Sequence, residues 1–435
     1  MPTAAFYTLG CKVNQYESHA LAAAFADAGF DIVDPAQTAD VYIVNSCTVT
    51  ATGDKKSLQA LRRFRAQAPE AVVVLCGCLP QAFPQKMGTV AGADIVMGTK
   101  NRAALIDAVR EKLAGASGQL VDIQRHGQGD KFERLHTPVD SGRTRAFLKI
   151  QDGCERGCAY CIIPAARGPV RSKPPGDIRA ELEELSRAGY KEVVLAGVNL
   201  SCYGQDLGVT LSDAVEIALK TRDIGRIRLG SLEPDLITRE DITRWAQAGG
   251  EAQLCPHFHL SLQSGCDNTL GRMNRRYDTR HYKQAVEAFR EAFPGCAVTT
   301  DIMTGFPGET REDHLESLDF VRQIGFARTH IFTYSVRQGT LAAHLPDRVP
   351  RKVAAARAKE MSAVAASSRE AFLRTRLGTV YPVLIESVDD AMLGFGHTAC
   401  YTPVWIRGCP RDMCGEIAPV RLTMLREDGC EGERV

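Results

Sequence analysis

The chain reads as an α/β protein in three parts: a small N-terminal α/β domain, a central partial (β/α)6 TIM-like barrel and a C-terminal β-barrel. Three observations predict this. Over residues 1–115, short β-rich apolar runs alternate with helical patterns. Between 146 and 335, six more β-rich runs recur with helical patterns between them, the signature of β/α units. After Gly378 the helical spacing stops and β-type runs take over. The boundaries that follow are 1–115, a linker at 116–142, a barrel at 143–375 that ends in a basic helix, and 376–435.

In the first part the predicted strands are 5–9, 41–45 and 72–76, and the predicted helices 18–28, 55–67 and 102–113. The linker is predicted from its Gly, Ser, Gln and charge. The barrel strands are expected at 146–150, 192–196, 226–230, 257–262, 297–303 and 329–334, with helices such as 175–188, 281–292 and 311–324. Residues 348–376 form an Ala-rich helical stretch. Across 337–376, Arg337, Arg348, Arg351, Lys352, Arg357, Lys359, Arg369, Arg374 and Arg376 outnumber Asp347, Glu360 and Glu370. Strands at 380–387, 402–407 and 416–425 suit a small β-barrel, and the charged tail 427–435 reads as disordered.

The composition narrows the class of protein. Apolar residues make up 44% of 435, ordinary for packed cores. No run approaches the ~20 apolar residues of a membrane span, so the expected location is the cytoplasm, with no membrane partner. Fifteen cysteines in such a setting point to metal or cluster ligation rather than disulfides. The net charge of +1 gives no global argument for nucleic acid.

The most informative local feature is Cys154-Glu-Arg-Gly-Cys158-Ala-Tyr-Cys161, just after the first barrel strand. Chemistry in such barrels sits at the C-terminal strand ends. Three closely spaced thiols fit three corners of a [4Fe–4S] cube and leave one iron without a protein ligand, whereas clusters and structural zinc usually take four. A redox dithiol or a partial zinc knuckle is the alternative. A second set, Cys11, Cys47 and Cys78, follows the three strands of the first part. In a parallel sheet such loops gather on one edge. From spacing alone the case for a second cluster is weak, because buried unpaired cysteines are common core residues. Cys409 and Cys414 have no matching pair and read as unligated.

The spacing of the first set resembles that of radical S-adenosylmethionine (SAM) enzymes. In them SAM's amino and carboxylate groups occupy the open iron, and one electron cleaves SAM to a 5′-deoxyadenosyl radical. Thr8-Leu-Gly-Cys-Lys-Val-Asn-Gln-Tyr-Glu-Ser18, Asn45-Ser-Cys-Thr-Val-Thr50 and Gly77-Cys78 resemble the N-terminal domain of methylthiotransferases. The Cys154 run with Ile163-Pro164 and Ala166-Arg-Gly168 resembles their radical SAM domain, and the last part resembles their TRAM domain. Lys12 to Ser18, Gly197-Val-Asn199 with Tyr203-Gly204, Arg228 to Pro234, His257 to Gly265 and Asn274 to Tyr277 are most similar to the MtaB-type branch. That branch converts N6-threonylcarbamoyladenosine (t6A), beside the tRNA anticodon, to its 2-methylthio form (ms2t6A).

The resemblance implies two [4Fe–4S] clusters. Cys154, Cys158 and Cys161 would hold the one that makes the radical, and Cys11, Cys47 and Cys78 an auxiliary one that carries the sulfur. It implies two uses of SAM, one for the radical and one for the methyl group. It also implies an electron donor such as flavodoxin or ferredoxin, and a sulfur donor. The target C2–H bond lies beyond acid–base chemistry, so no side chain is expected as a general acid or base. SAM-contact candidates at strand ends are Gly197, Asn199, Glu233, Gln263, Asp301 and Gly305. His257 and His259 share one strand face and read as lumen lining. The chain departs from the family pattern at Leu79-Pro80, Ala165, Ser201-Cys202, Gly230 and Gln338, none of them a cluster cysteine.

Binding a tRNA anticodon stem-loop needs phosphate contacts. Candidates are Lys55, Lys56, Arg62, Arg63 and Arg65 near the Cys47 loop, and Arg351 and Lys352 on the basic helix; Arg272–Arg280 is a third basic cluster. The alternative is solvated helix faces. Competing functions are the same chemistry on isopentenyladenosine of tRNA or on a ribosomal-protein aspartate, and a non-catalytic iron–sulfur RNA-binding protein.

Overall fold

The computed structural model describes every residue of the chain except 89, 136–138, 140–141 and 251–252. The first domain runs β1 (Thr3–Thr8), α1 (Lys12–Asp27), β2 (Asp31–Val33), β3 (Val41–Ser46), α2 (Ala51–Gln67), β4 (Val72–Gly77), α3 (Cys78–Ala82), α4 (Pro84–Met87), β5 (Ile95–Met97), α5 (Leu105–Leu113) and β6 (Leu120–Asp122). These strands form one parallel sheet in the order β2-β1-β3-β4-β5-β6. Every residue of β3 and β4 is buried, because helices cover both faces. On one face Val41, Ile43, Val72 and Val74 pack with Phe25 and Leu105; on the other Tyr42, Val44, Val73 and Leu75 pack with Leu61 and Phe64.

Two helices begin earlier than their apolar spacing predicts. The Thr50 side chain caps α2 by accepting from the Gly53 amide. The first turns of α1 bury Asn14, Glu17 and Ser18 beside Val13 and Tyr16. A hydrophobic count passes over polar side chains that are buried because another domain supplies their partners.

The segment expected as a linker, 116–142, is corrected in its first half. β6 extends the first sheet by pairing with β5, Leu120 against Ile95. The chain then stays attached: Arg102 binds Glu133 at 3.0 Å, and Phe132 is buried under the ammonium groups of Lys149 and Lys173. The Gly and Ser residues at 115–118 mark only a turn.

The barrel follows with β7 (Arg145–Asp152), α6 (Ile163–Arg167), β8 (Arg171–Ser172), α7 (Pro175–Arg187), β9 (Glu192–Gly197), α8 (Leu211–Leu219), β10 (Arg226–Leu229), β11 (Ser231–Leu232), α9 (Arg239–Gln247), β12 (Gln253–Leu254), β13 (His257–Leu260), α10 (Asp267–Arg272), α11 (Thr279–Ala292), β14 (Ala297–Thr304), α12 (Arg311–Ile324) and β15 (Arg328–Thr333). The six expected strands are present, in two sheets: β12-β10-β9-β7-β8 and β11-β13-β14-β15. The break falls at Gly230, where a Cβ would approach the Leu195 carbonyl oxygen to 3.0 Å. Strand alternation separates the two faces. Leu148, Val193, Leu195, Ile227, Leu229, Phe258, Leu260 and Val298 join the core under the helices. Their alternates, among them Lys149, Glu192, Arg228, His257, His259 and Asp301, face the lumen, which is strongly polar.

Helix α13 (Arg351–Arg374) leads to β16 (Val380–Val388), β17 (Gly394–Thr398), β18 (Pro403–Ile406), β19 (Ile417–Arg426) and β20 (Gly429–Arg434), closed as β16-β17-β18-β20-β19. The tail expected to be disordered is therefore the strand that closes this barrel. Cys430 is fully buried, and a Cβ on Gly432 would meet Val420 at 2.5 Å. The charges of Glu431, Glu433 and Arg434 mask an alternation whose inward members are small. No helix among the described residues is long and apolar enough to cross a membrane.

Candidate cluster and substrate site

The turn after β7 is built around Gly153, at φ +74°, where a Cβ would lie 1.8 Å from the Pro169 carbonyl oxygen. Only glycine allows this close passage. It brings the Cys154 amide to the Gly168 carbonyl at 3.0 Å. The amide of Ala159 donates to Met273 at 2.9 Å, and that of Cys161 to Cys158 at 3.0 Å. Cys154, Cys158 and Cys161 thereby line one cavity of about 130 Å³ with Arg156, Tyr160, Asn199, Glu233, Ser261, Gln263 and Arg275.

The cavity is charged and incompletely satisfied. Arg275 donates to the Cys158 sulfur at 3.2 Å and pairs with Glu233 at 2.7 Å. Arg156 lies 3.8 Å from Glu233 and pairs with Asp235. Gln263 holds φ +72° and its Oε1 is buried without a hydrogen bond. A hydrogen bond from the Cys202 thiol is the main influence that pulls the Cys154 thiol down to about 6, against burial. Burial pushes Cys161 up to about 12 and also raises Cys158, which Arg275 offsets. Three thiols with cationic donors around one cavity, and an amide oxygen lacking a partner, fit a [4Fe–4S] cluster with a bound amino acid moiety. Among the described residues no three such ligands stand close enough to share one ion. A cube engages its thiolates through separate irons.

Of the six SAM candidates, Asn199, Glu233 and Gln263 line this cavity. Gly197 ends β9 next to it, where a Cβ would lie 2.9 Å from Gln151 Oε1. Asp301 pairs with His259 at 3.3 Å in the lumen, and Gly305 packs on Ala354 of α13, so neither reaches the cavity. Sequence reasoning singled out neither Arg156 nor Arg275. The signal for Arg275 was its place in the Asn274–Tyr277 run; Arg156 lies inside the cysteine run itself.

The second set sits where strand order brings it together. Cys11 is the N-cap of α1 after β1, Cys47 follows β3, and Cys78 opens α3 after β4; β1, β3 and β4 are parallel neighbours. Gly10 has φ +105°, and a Cβ there would lie 2.9 Å from the Cys47 sulfur. Asn14 ties the loops by donating to Leu9 at 2.8 Å and Ser46 at 2.9 Å. Cys78 is buried, which pushes its thiol up to about 12 against the pull of Arg167. The Arg167 guanidinium reaches the Cys78 sulfur at 3.3 Å and Asn14 Oδ1 at 2.6 Å. Arg167 belongs to the Ala166-Arg-Gly168 run just after the first cysteine set, so a buried side chain from the barrel reaches the second set.

Gly10→Ala is expected to lose any iron that the second set binds. It adds about 1–3 kcal/mol of backbone strain and places a methyl group against the Cys47 sulfur. Iron and sulfide analysis of the reconstituted variant checks this; iron equal to wild type would refute it.

The RNA candidates divide by surroundings. Lys55, Lys56 and Arg62 on α2 and Arg351 and Lys352 on α13 are exposed. Arg63 lies over the Phe64 ring at 4.6 Å. Arg65 caps its own domain, donating to Pro69 and Ala71 and pairing with Asp94. A groove of about 830 Å³ between the domains is lined by Thr50, Ala51 and Thr52 on one side and by Tyr334, Arg348 and Arg351 on the other.

Known proteins are similar to this chain over most of its length. Residues 148–321 match the Radical SAM superfamily, and residues 3–98 match uncharacterized protein family UPF0004. The chain is 36% identical to "Threonylcarbamoyladenosine tRNA methylthiotransferase MtaB" of Bacillus subtilis (strain 168), over 100% of its own length and 97% of that protein. It is 32% identical to "tRNA-2-methylthio-N(6)-dimethylallyladenosine synthase" of Symbiobacterium thermophilum, over 98% of this chain and 93% of that one. Among solved structures, the radical SAM methyltransferase TsrM from Kitasatospora setae shares the fold, with a TM-score of 0.53 over 76% of this chain and 73% of that one at 14% identity. Radical SAM membership implies a [4Fe–4S] cluster and SAM, for which the Cys154 cavity has the donors. With full-length relatives and both domain matches in agreement, the chain belongs to the radical SAM tRNA methylthiotransferases of the MtaB type.

Proposed function

We propose that this protein methylthiolates C2 of N6-threonylcarbamoyladenosine beside the anticodon of tRNA. The observation that carries the reading is the contact of Arg167, which follows the Cys154 run in the chain, with Cys78 of the second set. One set stands on adjacent strand ends of the first sheet, and the other at the end of the first barrel strand. Cys154, Cys158 and Cys161 hold the radical-generating cluster, and Cys11, Cys47 and Cys78 the auxiliary cluster. When bound, these groups and SAM supply a radical able to break an unreactive C–H bond, a sulfur atom and a methyl group.

The chain's own residues bind and orient. Asn199, Glu233 and Gln263 have the polarity to hold SAM's amino acid end. Arg275 and Arg156 fix Glu233 and keep positive charge beside the thiolates. The polar lumen receives the base, and the surrounding domains exclude water and stray hydrogen donors. Arg351 lines the groove between α2 and α13, and with Lys55, Lys56, Arg62 and Lys352, exposed on those two helices, it suits the phosphates of an anticodon stem-loop. Bases in such a loop are already splayed, which lowers the cost of inserting one. A flavodoxin- or ferredoxin-type electron donor and a sulfur donor complete the partners.

Relatives bearing the dimethylallyladenosine name stand at 32% identity beside 36% for the threonylcarbamoyl name, and this favours one second reading, the same chemistry on the dimethylallyl (isopentenyl) nucleoside. Nucleoside mass spectrometry of tRNA from a deletion strain separates them. The expected result is loss of ms2t6A and accumulation of t6A, reversed by the gene on a plasmid. Undiminished ms2t6A with loss of the dimethylallyl product would overturn the proposal.

A further inference from the structure

Near the start of the barrel strands, the lumen collects cations that the two cysteine sets do not use. Arg145 on β7, Glu192 on β9 and Arg226 on β10 stand in register across the sheet. Arg228, two residues on, shares the inward face. Glu192 is fully buried and takes Arg228 at 2.7 Å, Arg226 at 3.5 Å and Arg145 at 4.0 Å. Arg145 also pairs with Glu386 of the C-terminal barrel at 2.8 Å, and Glu386 is shared with His397. Three guanidinium groups thus divide two carboxylates.

Donors are left over. Arg228 Nη2 and Arg145 Nη1 are buried without a hydrogen-bond partner, as are His257 Nδ1 and one acceptor, Glu192 Oε2. Both guanidinium groups lie over one ring, Tyr401, with Arg228 at 4.7 Å and Arg145 at 4.8 Å from its centroid. Tyr401 comes from the C-terminal barrel at φ +63° and packs against His257 at 5.2 Å and His397 at 4.5 Å. From the first domain, Lys12 opens α1, which packs on β7 and β9. Arg228, Arg145 and Glu192 are near enough to act on the Lys12 ammonium electrostatically, and Lys12 acts in the same way on His257 and His330. Lys12 has no hydrogen bond or ion pair among the described residues and keeps accessible surface, though protein crowds most of the space around it. The first domain and the barrel therefore bring cations to one place, beneath an aromatic ring from the C-terminal barrel.

A buried charged donor without an acceptor is costly, and like charges brought together add to that cost. An entering anion relieves both, and a planar carboxylate matches a guanidinium fork. We infer that Lys12, Arg228 and Arg145 form an anion subsite in the barrel lumen that receives the carboxylate borne by the N6 substituent of the target adenosine. The inference rests on the threonylcarbamoyl reading above and adds the residues that distinguish it from the dimethylallyl nucleoside. The threonyl group brings a carboxylate. The dimethylallyl group brings none and would desolvate the cations without pairing them, which is discrimination by an unmet partner.

The test uses the full chain with its clusters reconstituted and synthetic anticodon stem-loops that differ only in the target nucleoside: threonylcarbamoyl-, dimethylallyl- or unmodified adenosine. Dissociation constants are read by fluorescence anisotropy at one salt concentration. The wild type is expected to bind the threonylcarbamoyl RNA at least about tenfold tighter than the unmodified one. Lys12→Gln is expected to erase that preference while its affinity for the unmodified RNA stays within about twofold. Lys12→Arg, which keeps the charge, restores it. Iron content is measured alongside, because Lys12 adjoins Cys11. Should Lys12→Gln lose iron, Arg145→Gln, at the opposite end of β7 from Cys154, is expected to erase the same preference. Retention of the preference in an iron-replete Lys12→Gln or in Arg145→Gln, or its absence from the wild type, overturns the subsite. A wild-type preference for the dimethylallyl RNA overturns the substrate reading itself, whatever the variants do.

Discussion

Replacing Cys11, Cys47 and Cys78 together by alanine is expected to lower bound iron from about eight to about four per chain, from two cubes to one. SAM cleavage to 5′-deoxyadenosine is expected to survive, and methylthiolation to fall below detection. The two sets are held by separate scaffolds, which is why one can fail alone. The first depends on Gly153, Gly168 and Met273 within the barrel. The second depends on Gly10, Asn14 and the strand ends of the first sheet. Losing Cys78 leaves Arg167 with Glu17 and Asn14, so the bridge between the domains keeps its hydrogen bonds. Iron and sulfide analysis with chromatography of the SAM products reads all three quantities. Retention of the full iron complement would remove the auxiliary cluster from the second set. Loss of all the iron would show that the sets are not independent.

Glu17→Gln is expected to destabilise the protein by about 3–5 kcal/mol, the cost of stripping one partner from a buried charge network. Glu17 is fully buried and meets Arg102 at 2.7 Å, Lys149 at 2.6 Å and Arg167. Asp152, also buried, meets Lys149 at 2.5 Å and Arg171 at 3.4 Å. With Glu17 neutral, the cations it served from α1 are left to Asp152 and to Glu133 at the domain edge. Urea unfolding at neutral pH measures the loss; a change under about 1 kcal/mol would mean the network is solvated enough to be neutral.

The same network sets an acid limit. Arg102, Arg167 and Lys149 hold the Glu17 carboxyl far below the usual range despite its burial, and Lys149, Arg167 and Arg171 do the same for Asp152. A depressed folded-state pKa gives stability that is fully present above the ordinary carboxyl value of about 4 and is lost as pH falls below it. Stability of the wild type should therefore drop steeply below about pH 4, and Glu17→Gln should flatten part of that slope.

Much of this was legible along the chain. The spacing of Cys154, Cys158 and Cys161 is a local property, because one loop after one strand carries all three. The barrel strands were found because their outward faces are apolar at period two. Other features were hidden. Strand β20 lay behind the charges of Glu431, Glu433 and Arg434, since its inward residues are a cysteine and a glycine rather than large apolar side chains. The early start of α1 was hidden because its buried face is polar, matched by Lys149, Arg167 and Glu181 from the barrel.

The sequence by itself determined the reaction class, through the three-cysteine loop and the glycines that permit its turn, and the order of the three parts. Tertiary structure decided what those parts do to one another. Strand order made neighbours of Cys11, Cys47 and Cys78, and Arg167 tied them to the radical loop. The lumen gathered Lys12, Arg145, Arg228 and Tyr401 from three domains. The physical reason is that coordination within a loop depends on a few adjacent torsions, and residue identity at short spacing expresses it. Convergence between domains depends on burial and charge pairing over more than a hundred residues of separation, and no local pattern encodes it.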